Sequence, residues 1–177
     1  MSFDFNTYQF ELLQEEDSLS FFTLIQKNKK RLNDFFAGTV AKTGTLEATQ
    51  SYCKDIMTRI EDRAYYPYLI KEKSSQKLIG FIDVKNIDWE VPKAELGAFI
   101  DEDYEGKGII THHLTDLIDT IVQEHDFKKL LCRIAKENKR SIQVALHCGF
   151  EYEGTIRRDY RTTSGRLIDL NYYGKLF

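Results

Sequence analysis

The chain has 177 residues, a formal net charge of −3, 42% hydrophobic and 30% charged residues. That apolar content excludes a disordered chain, the net charge argues against nucleic-acid binding by bulk electrostatics, and the length suits one domain with one sizeable core. The opening MSFDFNTYQFEL lacks a basic segment followed by a long apolar one, and no later run approaches the roughly 18 apolar residues of a membrane span. No membrane partner is expected, and the cytoplasm is expected by default.

Y8-Q-F-E-L-L13 alternates apolar and polar residues and predicts a first strand. Leu19, Phe22, Ile25 and Gln26 recur at helical spacing within 15–31 and predict a first helix. After an interrupted stretch, 35–45, a second helix is expected over 46–62. Thr45 offers its N-cap oxygen, while Ala48 rules out a capping box. Residues 65–70 and 77–84 predict a hairpin, with Pro67 pushing its strand toward an edge or a strand start. Residues 93–100 form the next strand. A third helix over 108–124 carries the stripe Ile110, Leu114, Leu117, Ile118 and Ile121. A strand at 129–134 and a short helix at 138–147, ended by Gly149, follow. Two last strands, 150–158 and 167–173, flank the turn T-T-S-G165. The order β α α β β β α β α β β is a mixed α/β layout. It is largely antiparallel, with crossovers only around the third and fourth helices. No linker or repeat divides the chain, so residues 1–177 read as a single domain.

The strand K93-A-E-L-G-A-F-I100 runs into Y104-E-G-K-G-I-I-T111, where two glycines flank a lysine as a strand pattern gives way to a helix pattern. The third glycine of a G-x-G-x-x-G dinucleotide turn is missing, and the spacing does not match a G-x-x-x-x-G-K-[ST] loop. The local physics still suits a diphosphate: residues without side chains let main chain approach it, and the free amides of a helix start point at it. The same glycines would equally serve a plain strand-to-helix turn.

Four segments in order, A94-E-L-G-A-F-I100, E105-G-K-G-I-I-T111, N138-K-R-S141 and C148-G-F-E-Y-E-G154, resemble the GNAT superfamily of acetyl-CoA-dependent N-acetyltransferases. The likeness is to the branch that acetylates ribosomal-protein N-termini. It implies a GNAT acyl-CoA N-acyltransferase fold, with a mostly antiparallel central sheet and flanking helices. Acetyl-CoA would be the cosubstrate. The family turn [RQ]-x-x-G-x-[GA] is matched at Gly106 and Gly108, but its leading position is Asp103. The resemblance places the cofactor against Phe99 and Ile100 at the strand end, against Glu105, Gly106, Lys107, Gly108 and Ile109 in the turn, and against Asn138 and Ser141.

Glu95 points away from the face shared by Ala94, Leu96, Ala98 and Ile100. By resemblance it is a general base acting through water; a solvated strand carboxylate is the alternative. Ser141 would hydrogen-bond the sulfur of the leaving thiol, and Asn138 also suits a helix N-cap. Either Tyr172 or Tyr173 faces the cleft as a candidate proton donor. Neither a metal nor a covalent intermediate is needed: His112 and His113 are adjacent and cannot act as an i, i+4 ligand pair. Cys53, Cys132 and Cys148 form no C-x-x-C pair and read as reduced core thiols. Arg157, Arg158 and Arg161 form a solvated face that could meet an acidic peptide.

The expected acceptor is an amine, foremost a ribosomal-protein N-terminus. Deprotonating an α-amino group of pKa about 8 costs about 1.4 kcal/mol at pH 7, against roughly 4.6 for a lysine, so a modest base suffices. A small-molecule amine, an idle acyl-CoA-binding sensor and a homodimer remain open.

Overall fold

In the computed structural model, residues 2–5 and 7–177 are described. The chain runs β1 (Ser2–Phe5), β2 (Tyr8–Leu12), α1 (Ser18–Leu32), α2 (Ala37–Lys42), α3 (Leu46–Glu61), β3 (Tyr66–Glu72), β4 (Lys77–Asp88), β5 (Lys93–Ile100), α4 (Ile109–His125), β6 (Lys129–Ala135), α5 (Lys139–His147), β7 (Glu151–Arg161) and β8 (Leu167–Leu176). The strands form one sheet in the order β1-β2-β3-β4-β5-β6-β8-β7. Every neighbouring pair is antiparallel except β5 and β6, which α4 joins as a parallel crossover.

Alternation along the strands sorts side chains into two cores. Ile82, Val84, Ala94 and Leu96 face α4 and α5, joined by Leu114, Leu117, Ile118 and Ile121 of α4. Leu69, Phe81 and Phe99 face the other way, onto Phe21, Leu24 and Ile25 of α1 and Cys53 and Ile56 of α3. The expected α4 stripe therefore packs as read, apart from Ile110 at its margin. On α1 the buried stripe is Phe21, Leu24, Ile25, Asn28 and Leu32, while Leu19 is 61% exposed. The expected stripe of Leu19, Phe22 and Gln26 is the neighbouring face, which shares Ile25 with the buried one.

Four other features depart from the expected layout. A strand, β1, precedes the first expected one and pairs with β2. The interrupted stretch contains a short helix, α2. Strands β7 and β8 run three residues beyond their expected ends. Pro67 sits at a strand start, as one reading had it, but β3 lies inside the sheet between β2 and β4. That position is tolerated because β2 ends there, and the Pro67 carbonyl accepts from the Leu13 amide at 2.9 Å. Thr45 caps α3 through the Ala48 amide at 3.1 Å, as expected.

Ile118 is fully buried between α4 and the sheet. Replacing it with alanine should lower unfolding stability by about 2–5 kcal/mol, through lost burial and a residual cavity. Urea unfolding followed by circular dichroism checks this, read as a lower midpoint at unchanged slope.

Candidate active site

The β5–β6 ladder holds for only three pairs, Lys93–Lys129, Ala94–Leu130 and Glu95–Leu131, and then the strands part. Beyond that point β5 runs on to Ile100 and β6 to Ala135 with no partner on the facing edge. A cleft of about 1260 Å³ opens there, lined by both strand ends, by the α4 turn and by the start of α5 on one side, and by α2, α3 and Tyr65 on the other. Its size exceeds that of an ordinary single-ligand pocket, so two cosubstrates can meet in it.

The glycine turn is built for close approach. Gly106 and Gly108 have φ of 73° and 72°, a region that glycine adopts without strain. Gly108 is the N-cap of α4 and supplies no side-chain cap, so the first-turn amides have no partner within the helix. An atom attached at Gly106 would have open space, whereas one at Gly108 would lie 2.6 Å from His112 Cδ2. The turn is held from both sides. Arg31 of α1 lies 2.7 Å from Glu105 Oε1, and Arg140 of α5 lies 2.6 Å from Oε2. Upstream, Lys27 pairs with Asp101 at 2.7 Å and with Asp103. Asp103, the departure from the family turn, is thus an anchor for α1. Glu105 spends its carboxylate on arginines, and Lys107 lies over the Tyr104 ring at 4.6 Å, outside the cleft lining.

Across the cleft floor runs a ladder of charges. Glu95 is only 8% exposed, so it is not a solvated strand carboxylate. Its Oε2 accepts from Arg133 Nε at 2.7 Å and from Asn86 Nδ2 at 2.8 Å, and Lys85 Nζ lies 3.8 Å from Oε1. A bulge in β4 sets Asn86 at φ 50° and turns it onto Glu95. Lys85 also donates to Asp83 at 3.0 and 3.2 Å, and Tyr65 donates to Asp83 at 3.2 Å. Gly97 leaves room for this contact, since a Cβ there would fall 2.8 Å from Lys85 Nζ. Burial raises the Asp83 pKa, while Lys85 opposes the rise. Burial works against the Lys85 ammonium, but Asp83 and Glu95 outweigh it and its pKa stands raised. At its far end, Arg133 reaches Asp159 at 3.4 Å, to which Tyr172 donates at 2.7 Å.

Among the two tyrosines, Tyr173 is in the core and Tyr172 faces the ladder, though it does not line the cleft. Asn138 caps α5, accepting from the Ser141 amide at 3.2 Å, and both residues line the cleft. Phe99 packs its ring on Phe36 at 5.1 Å, on the same face as Glu95, and lines the cleft. Ile109 buries its side chain in the α4 core, and the Ile100 carbonyl accepts from Arg31 at 2.9 Å. Burial pushes the Cys132 and Cys148 thiols up, so neither is a ready thiolate. His113 packs edge-on to Tyr8, and no metal-binding cluster occurs among the described residues.

Parted parallel strands, a glycine turn at a helix start and a carboxylate at the parting point coincide with a family match. The sequence model described as the acetyltransferase (GNAT) domain matches residues 9–151. This chain belongs to the GNAT acetyltransferase family. The GNAT chain is 31% identical over 173 residues to a Bacillus subtilis (strain 168) protein provisionally named ribosomal N-acetyltransferase YdaF, covering 93% of this chain and 88% of that one. It is also 31% identical over 100 residues to the ribosomal-protein-serine acetyltransferase of Escherichia coli (strain K12), covering 56% of this chain and only 55% of that relative. A solved structure of RimL, a ribosomal L7/L12 alpha-N-protein acetyltransferase in complex with coenzyme A, superposes with a TM-score of 0.87 at 20% identity, covering 98% and 96% of the two chains. The GNAT fold and the ribosomal-protein acetyltransferase-like branch read from the sequence therefore hold.

The GNAT cleft gathers Glu95, Phe99, Ile100, Glu105, Gly106, Gly108, Ile109, Asn138 and Ser141 from the expected set and leaves out Lys107. The sequence reading missed Asp83, Lys85, Asn86 and Arg133. For three of them the signal was charge set into the apolar runs of neighbouring strands, Asp83 and Lys85 in F-I-D-V-K and Arg133 in L-L-C-R-I, whereas Asn86 gave none.

The His112 contact bears on turn variants. A side chain at either glycine is strained by its backbone, and at Gly108 it also meets the tip of the exposed His112 ring, which can swing away. Gly106→Ala and Gly108→Ala should each cost about 1–2 kcal/mol in thermal denaturation. His112→Ala added to Gly108→Ala should return little of that cost.

Proposed function

We propose that this enzyme transfers an acetyl group from acetyl-CoA directly to the N-terminal amine of a ribosomal or similar protein, in the cytoplasm. One observation carries the reading: a buried carboxylate, Glu95, lies at the last paired position before β5 and β6 part, so that the carboxylate and the glycine turn open onto one cleft. Relatives named for ribosomal-protein acetylation support the target.

The residues present fit the cosubstrate. The free first-turn amides of α4, with the helix dipole behind them, suit its pyrophosphate. Open space at Gly106 permits close approach, and the edge of β5 beyond Glu95, which β6 no longer pairs, suits its extended arm. When bound, acetyl-CoA supplies a thioester carbonyl for the amine to attack. Oε1 of Glu95, the oxygen without a hydrogen-bond donor among the described residues, accepts the amine proton through a water. As the carbon–nitrogen bond forms and the carbon–sulfur bond breaks, the Ser141 hydroxyl steadies the departing sulfur, which then takes up a proton. Arg133 and Asn86 hold the other oxygen and so aim the carboxylate. Because the amine needs only about 1.4 kcal/mol to lose its proton at pH 7, a base held by cations is adequate.

Two variants test the roles. Glu95→Gln should lower kcat at neutral pH, with the loss shrinking as pH passes the amine pKa of about 8 and the acceptor deprotonates unaided. A loss independent of pH would assign Glu95 to positioning. Ser141→Ala should lower kcat about ten-fold with acetyl-CoA KM nearly constant, because the contact matters once negative charge develops on sulfur. Steady-state thiol release at saturating peptide measures both, and an unchanged kcat in a wild type limited by chemistry would remove the leaving-group role.

A further inference from the structure

We propose that the acceptor arm of the cleft binds an anionic side chain, so that the preferred substrates are peptides in which an acidic residue closely follows the N-terminal amine. The inference rests on the N-terminal reading above. It starts from charge accounting inside the cleft. Of its basic side chains, Lys85 and Arg133 are paired within the ladder, and Arg31 and Arg140 share Glu105, which leaves one positive charge beside the glycine turn. Lys42 and Arg59 have no carboxylate within ion-pair reach among the described residues. Each is instead laid on a tyrosine ring, Lys42 Nζ at 5.1 Å from the centroid of Tyr52 and Arg59 Cζ at 4.1 Å from that of Tyr65.

That arrangement makes a site of the pair. Tyr52 and Tyr65 are buried, and their hydroxyls lie 3.5 Å apart, with Tyr65 continuing to Asp83. The rings are therefore fixed, and the cations on them are oriented before any ligand arrives. A guanidinium stacked on a ring keeps its in-plane N–H donors free, the geometry that receives a carboxylate in two-point fashion. The remaining cleft cation without a carboxylate, Lys139, opens α5 on the cofactor side. Asp34, an acid on the same rim, faces Arg166 at 4.0 Å.

The ladder and this pair are electrostatically complementary to one kind of ligand. Asp83 and Glu95 balance Lys85 and Arg133 at the floor, and Asp159, just beyond the lining, adds one negative charge that suits an ammonium. Lys42 and Arg59 add two positive charges at the wall, which suit an anion. From Glu95 the path to Tyr65 passes through Lys85 and Asp83 in contacts of 3.8, 3.0 and 3.2 Å. The path bounds the separation at about 10 Å, which an extended peptide covers within about three residues. The acid thus belongs at the second to fourth residue of the acceptor.

The test compares serine-initiated peptides that differ only at residues two to four, carrying glutamate, glutamine or lysine, by thiol release with acetyl-CoA. For the wild-type enzyme kcat/KM should favour the glutamate peptide over the glutamine one by about ten-fold, and the ratio should shrink as salt is added. In Lys42→Ala/Arg59→Gln the ratio should fall to about two or less, and in Lys42→Glu/Arg59→Glu the lysine peptide should become preferred. Lys42→Ala alone, at an exposed residue, should already lower the ratio about three-fold, and this guards against a folding defect from losing Arg59 packing. Equal wild-type rates on glutamate and glutamine peptides, or a ratio that survives in the double variant, would overturn this inference and leave the N-terminal reading standing. No release with any peptide would overturn the N-terminal reading and this inference with it.

Discussion

Two parallel strands that stop pairing after three residues impose a deficit of main-chain hydrogen bonds. An edge of β5 from Leu96 to Ile100 and an edge of β6 from Cys132 to Ala135 face each other too far apart to bond. Buried main-chain groups without partners cost free energy comparable to a lost hydrogen bond, so a sheet keeps such a gap only where water or a ligand fills it. The rest of the site is arranged around this gap. The glycine turn follows directly from the end of β5, α5 starts just beyond β6, and Glu95 sits at the hinge of the wedge.

The charges on the floor of the wedge answer a second constraint. Carboxylates that lose water must gain donors or neutralise. Glu95 and Asp83 gain Arg133, Asn86, Lys85 and Tyr65, all supplied by strands or strand ends of the same sheet. Gly97 is what allows it, because any side chain between Asp83 and Glu95 would occupy the space of the lysine that bridges them. The arrangement uses sheet register, not loop conformation, to aim the Glu95 carboxylate. Register carries a side chain's direction more rigidly than a loop does.

What could be read from the sequence follows the range of the interaction. Elements whose pattern is local, such as the α4 stripe, the Thr45 cap and the β3–β4 hairpin, stand where periodicity and cap chemistry put them. The glycine turn was legible because a positive φ selects for glycine at single positions. The short helix α2 was not, since Gly38 and the threonines around it carry weak helix propensity and the segment is held by contacts such as the Ala37 amide to Tyr160 hydroxyl at 2.9 Å, across 123 residues of chain. The ladder was legible only in part. Glu95 stood out by alternation, but its partners come from β4 and β6, and their approach depends on sheet order and on a bulge at Asn86 that no local pattern announces. Likewise the choice between Tyr172 and Tyr173 turns on which face of β8 meets Arg133, a matter of pairing between strands distant in sequence.

The same helix serves both ends of the cleft. Through Lys27 and Arg31, α1 grips the segment that leads into the glycine turn, and buried Asn28 adds a bond of 3.1 Å from the Glu102 amide to its side-chain oxygen. Past its C-terminal end the chain continues through Phe35 and Phe36 into α2, which lines the far wall of the cleft. Phe36 then closes the loop by packing on Phe99 of β5. The glycine turn and that wall are therefore not independent attachments on a scaffold. They are two ends of one packed unit whose middle is the apolar face of α1 on Phe81 and Phe99. A substitution in that face acts on the distance between the two binding regions as well as on stability, and reacting atoms that must meet within about 3–3.5 Å leave little room for such a shift.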